Sequence, residues 1–290
     1  MTEAINEKTR HIDTLDAYGI VQLMNDEDLL VARAVQKVLP EIARAAEVIT
    51  EKLRGGGRLL YFGAGTSGRL GVLDAAECPP TFGVGEELVQ GFIAGGDAAL
   101  RCSVEGAEDD EALGARDADA ANITKGDAVV GIAASGATPY VLAVLRRAKE
   151  LGAATIGLCN VEKPALAAFA DIVIAPIVGP EALCGSTRLK SGTSQKMALN
   201  MLSTAAMIKL GKTHGNLMAH MSPSNQKLRG RAVRIVAQAA GVDEMCARKA
   251  LEDSGWVISS ALTAAGAKRA CAPPAQTDAQ SLKIARPAGT

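Results

Sequence analysis

The sequence predicts an α/β protein in which helices cover both faces of a parallel sheet. Short apolar runs of strand type alternate with segments of helical period, which is the pattern of consecutive βα units. A glycine-rich loop follows the first of these runs and opens a helix. Hydrophobic residues make up 48% of the 290-residue chain and aromatic residues only 3%, so we expect one large core of aliphatic side chains.

Residues 1–54 are predicted to form a polar segment followed by one long amphipathic helix. Apolar side chains recur every three or four positions from Val31 to Leu53. The segment Asn25-Asp26-Glu27-Asp28 suits the start of this helix, because its three acidic residues complement the positive end of the helix dipole. Pro40 should bend the helix, and a run of three glycines should end it.

Residues 55–240 are predicted to form the domain that carries the sheet. Strands are expected at 59–62, 88–93, 128–132, 154–158 and 172–176. Helices are expected at 69–77, 98–104, 140–151, 165–170, 194–209 and 225–240. The first of these helices is expected to stop at Cys78-Pro79-Pro80, because proline lacks the N–H that would continue it.

Residues 241–265 are predicted to form a small helical appendage, with helices at 243–253 and 256–265. From residue 266 to residue 290 the chain is rich in alanine, proline and polar residues and shows no period. This last segment is predicted to be a flexible tail.

The composition excludes several classes of function. With 31 basic and 32 acidic residues the net charge is −1, which argues against a nucleic-acid partner. The six cysteines form no C-x-x-C pair and the three histidines form no H-E-x-x-H motif, so no metal site is predicted. Scattered cysteines in an α/β pattern favour the reducing cytoplasm. Neither a signal peptide nor an apolar stretch long enough for a membrane span is recognised.

Two loops rich in glycine, serine and threonine form the candidate ligand site. One follows the first strand at 63–68 and the other follows the third strand at 133–139. In a parallel sheet both loops lie at the carboxyl edge, where ligands bind. The first loop fits G-x-G-x-x-G, but a ribose-binding acid after the second strand and a Walker lysine are both missing.

Side-chain hydroxyls and helix N-terminal amides at these loops suit a phosphate monoester. The hydroxyls belong to Thr66, Ser67, Ser135 and Thr138. Ordinary helix caps are the alternative explanation.

Carboxylates near these loops suggest proton transfer. Glu77 lies at the predicted helix end, where the dipole disfavours an ionised carboxylate, and this suits a general acid. The acidic residues at 105–111 suit a solvated helix start, although one of them facing the pocket would supply a second carboxylate. A phosphate pocket with two carboxylates would suit isomerisation or elimination next to the carbonyl of a phosphosugar.

Five segments resemble the N-acetylmuramic acid 6-phosphate etherase family, in the same order along the chain. They are GAGTSGRLG at 63–71, AECPPTFG at 76–83, VEGAED at 104–109, GIAASG at 131–136 with Thr138-Pro139-Tyr140, and GSTRLKSGT at 185–193. The resemblance spans residues 8–240 and fades through 256–265. It implies a sugar isomerase (SIS) fold, a Rossmann-like three-layer sandwich that binds phosphosugars and usually forms a homodimer.

The resemblance further implies a lyase that needs no cofactor or metal. It would cleave the lactyl ether of N-acetylmuramic acid 6-phosphate, with Glu77 as proton donor to lactate and Glu108 acting on C2 or on water. The residues implied for substrate binding are Gly65, Thr66, Ser67, Ser135, Gly136, Thr138, Ser186, Arg188 and Lys190. For Arg188 and Lys190, charges at a helix start are the alternative explanation.

Three other functions stay open at this point. An aldose–ketose phosphosugar isomerase would share the fold and the phosphate loops, and a non-catalytic phosphosugar-binding regulator would share both as well. A nicotinamide-dependent oxidoreductase depends on the G-x-G-x-x-G loop alone. The Glu77-Cys78-Pro79-Pro80 motif favours the etherase over the isomerase and the regulator, and the oxidoreductase has the weakest support of the three.

Overall fold

A computed structural model of the protein describes residues 4–271, and within them five strands and ten α-helices follow one another. The strands are β1 (Leu59–Gly63), β2 (Val89–Ile93), β3 (Ala128–Ile132), β4 (Ala154–Leu158) and β5 (Ile172–Ile174). The helices are α1 (Ala17–Gln36), α2 (Leu39–Arg54), α3 (Gly65–Phe82), α4 (Ala98–Arg101), α5 (Glu111–Ala120), α6 (Pro139–Glu150), α7 (Lys190–Lys209), α8 (Gln226–Ala240), α9 (Glu244–Asp253) and α10 (Ile258–Cys271). None of these described helices combines the length and hydropathy of a membrane span.

The five strands form one parallel sheet in the order β2-β1-β3-β4-β5. Leu59 of β1 lies between Val89 of β2 and Ala128 of β3. Both β1 and β3 are buried along their whole length, as inner strands of a parallel sheet should be. The strand order reverses between β1 and β3, and ligands bind such sheets at this switch point.

Helices cover both faces of the sheet, as predicted. On one face α2, α3 and α7 bury aliphatic side chains such as Ile49 and Leu202 against the strands. On the other face α5 and α6 do so with side chains such as Val141 and Leu145. The two helical layers and the sheet between them form the three-layer sandwich expected from the sequence.

The N-terminal region holds two helices instead of the single bent helix predicted. Helix α1 begins at Ala17, because Asp16 accepts the N–H of Gly19 at 2.8 Å and caps the helix. Pro40 lies in the first turn of α2, where its missing N–H leaves no hydrogen bond unmade. Residues 25–28 therefore lie inside α1 and do not start a helix.

Helix α3 continues through the two prolines that were predicted to stop it. Pro79 and Pro80 lie inside the helix, which ends at Gly83 in the left-handed conformation with φ of +62°. The N–H of Gly83 donates to the carbonyl of Pro79 at 2.9 Å and closes the last turn. Glu77 is therefore more than one turn from the helix end. The prediction that it meets the negative end of the dipole is wrong, because that effect is confined to the last turn.

The chain divides between Ser222 and Pro223 into two compact units. In the second unit α8, α9 and α10 pack on one another. Helix α8, predicted at the end of the sheet domain, belongs to this helical unit. Helix α10 extends to Cys271, so residues 266–271 of the predicted flexible tail are helical, and the rest of that tail lies outside the described residues.

Candidate functional site

The loop between β1 and α3 presents backbone N–H groups at the carboxyl edge of the sheet. Gly65 has a φ of +51°, a left-handed conformation that glycine adopts without strain. Gly68 allows a close approach of helix and sheet, since a Cβ there would lie 2.6 Å from Cγ1 of Ile93. Ala64, the N-cap residue, makes no side-chain cap. The first-turn N–H groups of α3 are thus available to an anion at the positive end of the dipole.

The loop between β3 and α6 contributes hydroxyls but a poorer helix N-terminus. Pro139 has no N–H, and the N–H of Tyr140 donates to the carbonyl of Glu108 at 3.0 Å. The Oγ of Ser135 accepts the N–H of Ala137 at 3.2 Å. The sequence predicted an anion-binding N-terminus for both α3 and α6, and the structure leaves the N-terminus of α3 as the better candidate. The bond from Tyr140 has a separate effect, because it fixes the backbone of Glu108 beside this loop.

The two loops line one cavity of about 470 Å³. Its polar lining side chains are Thr66, Ser67, Ser135, Thr138, Thr187, Glu108 and Asp109. Among the described residues in its wall none is lysine or arginine. The part of the chain with described side chains also holds no group of three or more His, Cys, Asp or Glu suited to a metal ion. The hydroxyls and backbone N–H groups of the two loops form a cradle of neutral hydrogen-bond donors that suits a phosphate group, and the carboxylates of Glu108 and Asp109 lie in the same cavity wall.

A buried chain of hydrogen bonds holds Ser67 in place. Its Oγ donates to Oε1 of Gln195 at 2.9 Å, and Nε2 of Gln195 donates to Oδ1 of Asn160 at 3.2 Å. Nδ2 of Asn160 donates to Oγ of Ser194 at 2.7 Å. Because the hydroxyl proton of Ser67 is used here, its backbone N–H is the donor that it offers to a ligand. The chain ties the phosphate loop to the start of α7.

In the segment before α7, the residues that line the cavity are not the ones predicted to bind the substrate. Gly185 and Thr187 line the cavity, whereas Ser186 and Arg188 do not. Thr187 was missed, although it lies inside the quoted 185–193 segment and carries the same hydroxyl as the predicted residues. Gly136 does not line the cavity either. A Cβ on Gly136 would lie 2.4 Å from Cβ of Pro164, so this glycine shapes its loop instead.

Lys190 is buried and does not reach the cavity. It is 1% exposed, and its Nζ lies 2.6 Å from Oε2 of Glu27, which also accepts from Asn6 at 2.8 Å. Burial would raise the pKa of Glu27, but Lys190, Asn6 and Lys8 outweigh it and hold that pKa below its ordinary value. Lys190 therefore ties α7 to α1, which corrects the prediction that it contacts substrate.

Glu181 fixes the loop that leads into α7. Its carboxylate is fully buried and accepts the N–H groups of Lys190 and Ser191, each at 2.9 Å. A negative charge at a helix N-terminus is favourable. These hydrogen bonds join the two ends of the loop that carries Gly185 and Thr187, so the loop is held in place before any ligand binds.

The two predicted catalytic carboxylates are not brought together within one chain. Glu108 lines the cavity. Glu77 is exposed and lies about 16 Å from Thr66 along the axis of α3, at 1.5 Å per residue. Burial, followed by the charge of Asp74, raises the pKa of the neighbouring Cys78 thiol to about 12. That thiol therefore stays protonated and is no nucleophile.

A second cavity of about 280 Å³ adjoins the first, and Gly65 and Glu108 belong to the walls of both. Arg69 of α3 lines this second cavity. Its Nε donates to the carbonyl of Leu100 at 3.1 Å and its Nη2 to the carbonyl of Ala99 at 2.7 Å. The sequence placed Arg69 directly after the phosphate loop but indicated no role for it.

Comparison with known proteins identifies the family of the chain. Residues 41–149 match the glucokinase regulatory protein N-terminal SIS domain, and residues 103–205 match the SIS domain. The N-acetylmuramic acid 6-phosphate etherase of Symbiobacterium thermophilum is 55% identical over 264 residues, covering 91% of this chain and 88% of that protein. The protein of the same name from Clostridium beijerinckii is 53% identical over 261 residues, covering 90% and 86%.

A solved structure, that of a phosphoheptose isomerase from Francisella tularensis, has the same fold with a TM-score of 0.51. It is 18% identical, and the match covers 67% of this chain and 100% of that one, so the likeness concerns the fold alone. The SIS fold predicted from the sequence is therefore confirmed. With more than half of its residues identical to the etherases along most of its length, this chain belongs to the N-acetylmuramic acid 6-phosphate etherase family.

Proposed function

We propose that this protein cleaves the lactyl ether of N-acetylmuramic acid 6-phosphate, giving N-acetylglucosamine 6-phosphate and D-lactate. The observation that carries the proposal is 55% identity over 91% of the chain to a protein named as this etherase. The cavity supports it, because a phosphate cradle with Glu108 in its wall suits acid–base chemistry on a phosphosugar. The protein would be a carbon–oxygen lyase in the recycling of cell-wall amino sugars.

Elimination next to a carbonyl provides the reaction route. In the open-chain aldehyde the proton on C2 is acidic, and the ether oxygen on C3 is a β leaving group. A base removes the C2 proton, the C3–O bond breaks as the C2–C3 double bond forms, and an acid protonates the departing lactate. Water then adds its hydroxyl to C3 and a proton returns to C2. Each proton transfer requires an acid or a base within hydrogen-bond reach of the reacting atom, and a carboxyl group can serve as either.

We assign the phosphate to the N-terminus of α3 and to the hydroxyls around it. Gly65 and Ser67 offer backbone N–H groups, and Thr66, Ser135 and Thr138 offer side-chain oxygens. Glu108, whose backbone is held by the N–H of Tyr140, acts on C2 or on the incoming water. Glu77 protonates the lactate.

A second copy of the chain would bring Glu77 to this site. Within its own chain about 16 Å of helix separates Glu77 from Thr66. Glu77 shares an exposed face of α3 with Leu73, which is 48% exposed. Helix α7 also has a partly exposed apolar face, formed by Met197, Met201, Ala205 and Ile208. Such faces suit contact between copies, so we propose a homodimer in which Glu77 completes the partner's site.

Two other functions of the same fold predict different behaviour. An aldose–ketose phosphosugar isomerase needs a base but no acid for a leaving group. A non-catalytic phosphosugar-binding regulator needs neither. The carboxylate of Glu108 in the cavity wall favours either enzyme over the regulator, and the high identity to the etherases favours the lyase over the isomerase.

We also propose that the enzyme works in the cytoplasm. Cys78 and Cys159 are buried free thiols. A reducing compartment preserves such thiols, and the sugar phosphate is itself an intracellular type of substrate.

Incubation with N-acetylmuramic acid 6-phosphate tests the proposal. We expect D-lactate and N-acetylglucosamine 6-phosphate in equal amounts, measured by an enzymatic lactate assay and by mass spectrometry. Tight phosphosugar binding without lactate would favour the regulator. Interconversion of aldose and ketose phosphates would favour the isomerase.

A further inference from the structure

Arg69 is a half-buried cation whose hydrogen bonds, among the residues with described side chains, go only to backbone carbonyls. Its Nε and Nη2 donate to Leu100 and Ala99 at the end of α4, and it forms no salt bridge with the residues whose side chains are described. Nη1 and the second N–H of Nη2 therefore remain available to a ligand. A guanidinium in this state is a receptor for an anion.

The charges around the second cavity make the binding of any anion there depend on Arg69. Glu105 and Glu108 line the same cavity, and Arg69 is the cation among its described lining residues. The two carboxylates repel an anion, and Arg69 offsets that repulsion. Since the phosphate cradle lies in the other cavity, the second cavity suits a separate and smaller anionic group.

The two cavities meet at Glu108, and this order matches the order of groups in the proposed substrate. The phosphate is on C6, the proton that is lost is on C2, and the lactyl ether is on C3. With the phosphate in the first cavity and C2 beside Glu108, the substituent on the neighbouring C3 lies next to the second cavity.

We propose that the second cavity binds the lactyl arm and that Arg69 binds its carboxylate. This inference rests on the proposed function and adds a specificity-determining residue to it. A guanidinium can give a carboxylate two parallel N–H···O bonds, which fixes both its position and its orientation. The ether oxygen is then held between this anchor and the phosphate cradle.

If Arg69 binds the lactyl carboxylate, it contributes to the binding of the substrate but not to the binding of N-acetylglucosamine 6-phosphate. When the C3–O bond breaks, the carboxylate leaves with lactate, and N-acetylglucosamine 6-phosphate keeps only its contacts in the first cavity. The affinity for substrate therefore depends on Arg69, and the affinity for this product does not. A hexosamine phosphate without the arm gains nothing from the second cavity.

The test compares N-acetylmuramic acid 6-phosphate with its lactamide, in which a neutral amide replaces the carboxylate. The wild-type enzyme should favour the acid in kcat/KM by about tenfold to a hundredfold, the range of a hydrogen bond to a charged group. Arg69→Gln should bring this ratio close to one. Arg69→Lys should keep part of it, because the charge remains while the paired donors are lost. The inhibition constant of N-acetylglucosamine 6-phosphate should stay within about twofold in both variants.

Equal turnover of the acid and the amide by the wild-type enzyme would overturn the inference, whether or not the variants fold. Equal loss of substrate and product affinity in Arg69→Gln would overturn it as well, because that result means that Arg69 only holds α4. Absence of both lactate from the acid and lactamide from the amide would count against the proposed function instead. The ratio of the two dissociation constants, measured by calorimetry, would then decide the role of Arg69 by itself.

Discussion

Glu108 and Glu77 differ in their surroundings, and their proposed roles follow from this difference. The backbone of Glu108 is held by the N–H of Tyr140, and its side chain lies in the wall of both cavities. Glu77 is exposed and makes no hydrogen bond or salt bridge with the residues whose side chains are described. A proton donor works best where water is excluded, and covering α3 with a second chain would exclude it.

Glu77→Gln should lower lactate release by about a hundredfold to ten-thousandfold, the usual contribution of a general acid. The amide cannot protonate the departing lactate, whereas Glu108 can still remove the C2 proton. Hydrogen at C2 should therefore continue to exchange with solvent, as NMR in deuterated water would detect. Loss of exchange together with release would mean that the two roles are not divided. Glu47→Gln, a change at an exposed glutamate of α2, is the matched control and should leave both rates intact.

Among the elements, strands could be predicted more closely than helix ends. The strands β3 and β4 begin and end where the sequence predicts, because a buried parallel strand is a short and nearly continuous apolar run. Helix α7 begins at Lys190, before the predicted start at residue 194. Its N-terminus is capped by the carboxylate of Glu181, which lies nine residues before Lys190 at the other end of the preceding loop. A cap from outside the first turn leaves no local pattern from which a helix start could be predicted.

Lys190→Met should lower the free energy of unfolding by about 3–5 kcal/mol, because it leaves the buried carboxylate of Glu27 without its closest cation. Urea denaturation measures this loss. The KM of the folded protein should change by less than about threefold, since Lys190 does not line the cavity.

Lys196→Met is the matched control for that change. Lys196 is an exposed residue of the same helix, so its replacement should alter the free energy of unfolding by no more than about 0.5 kcal/mol. The opposite pattern in Lys190→Met, with unchanged unfolding and a raised KM, would restore Lys190 as a substrate contact.

For the whole molecule, the sequence brought together the two loops of the proposed phosphate site but did not predict the second cavity. The loops after β1 and β3 could be placed together because the carboxyl ends of parallel strands share one edge. The second cavity could not be predicted, since it depends on how residues 94–108 fold over Arg69, and the sequence predicted only a short helix within that range. The separation of Glu77 from the first loop could be predicted, because it depends on the helix expected at 69–77 and not on the continuation of α3 past its two prolines.

We propose that Glu77 of one chain acts at the active site of the other chain in the dimer. Two variants that are each inactive should therefore restore lactate release when they form a mixed dimer. The Glu77→Gln chain keeps Glu108, and the Glu108→Gln chain keeps Glu77. If Glu77 acts across the interface, a mixed dimer has one site with both carboxylates and one site with neither.

Random pairing makes half of the dimers mixed, so lactate release should reach roughly a quarter of the wild-type rate. If Glu77 acts within its own chain, every site in the mixture lacks one carboxylate and mixing restores nothing. Co-expression with two different affinity tags isolates the mixed dimer and separates these two outcomes directly.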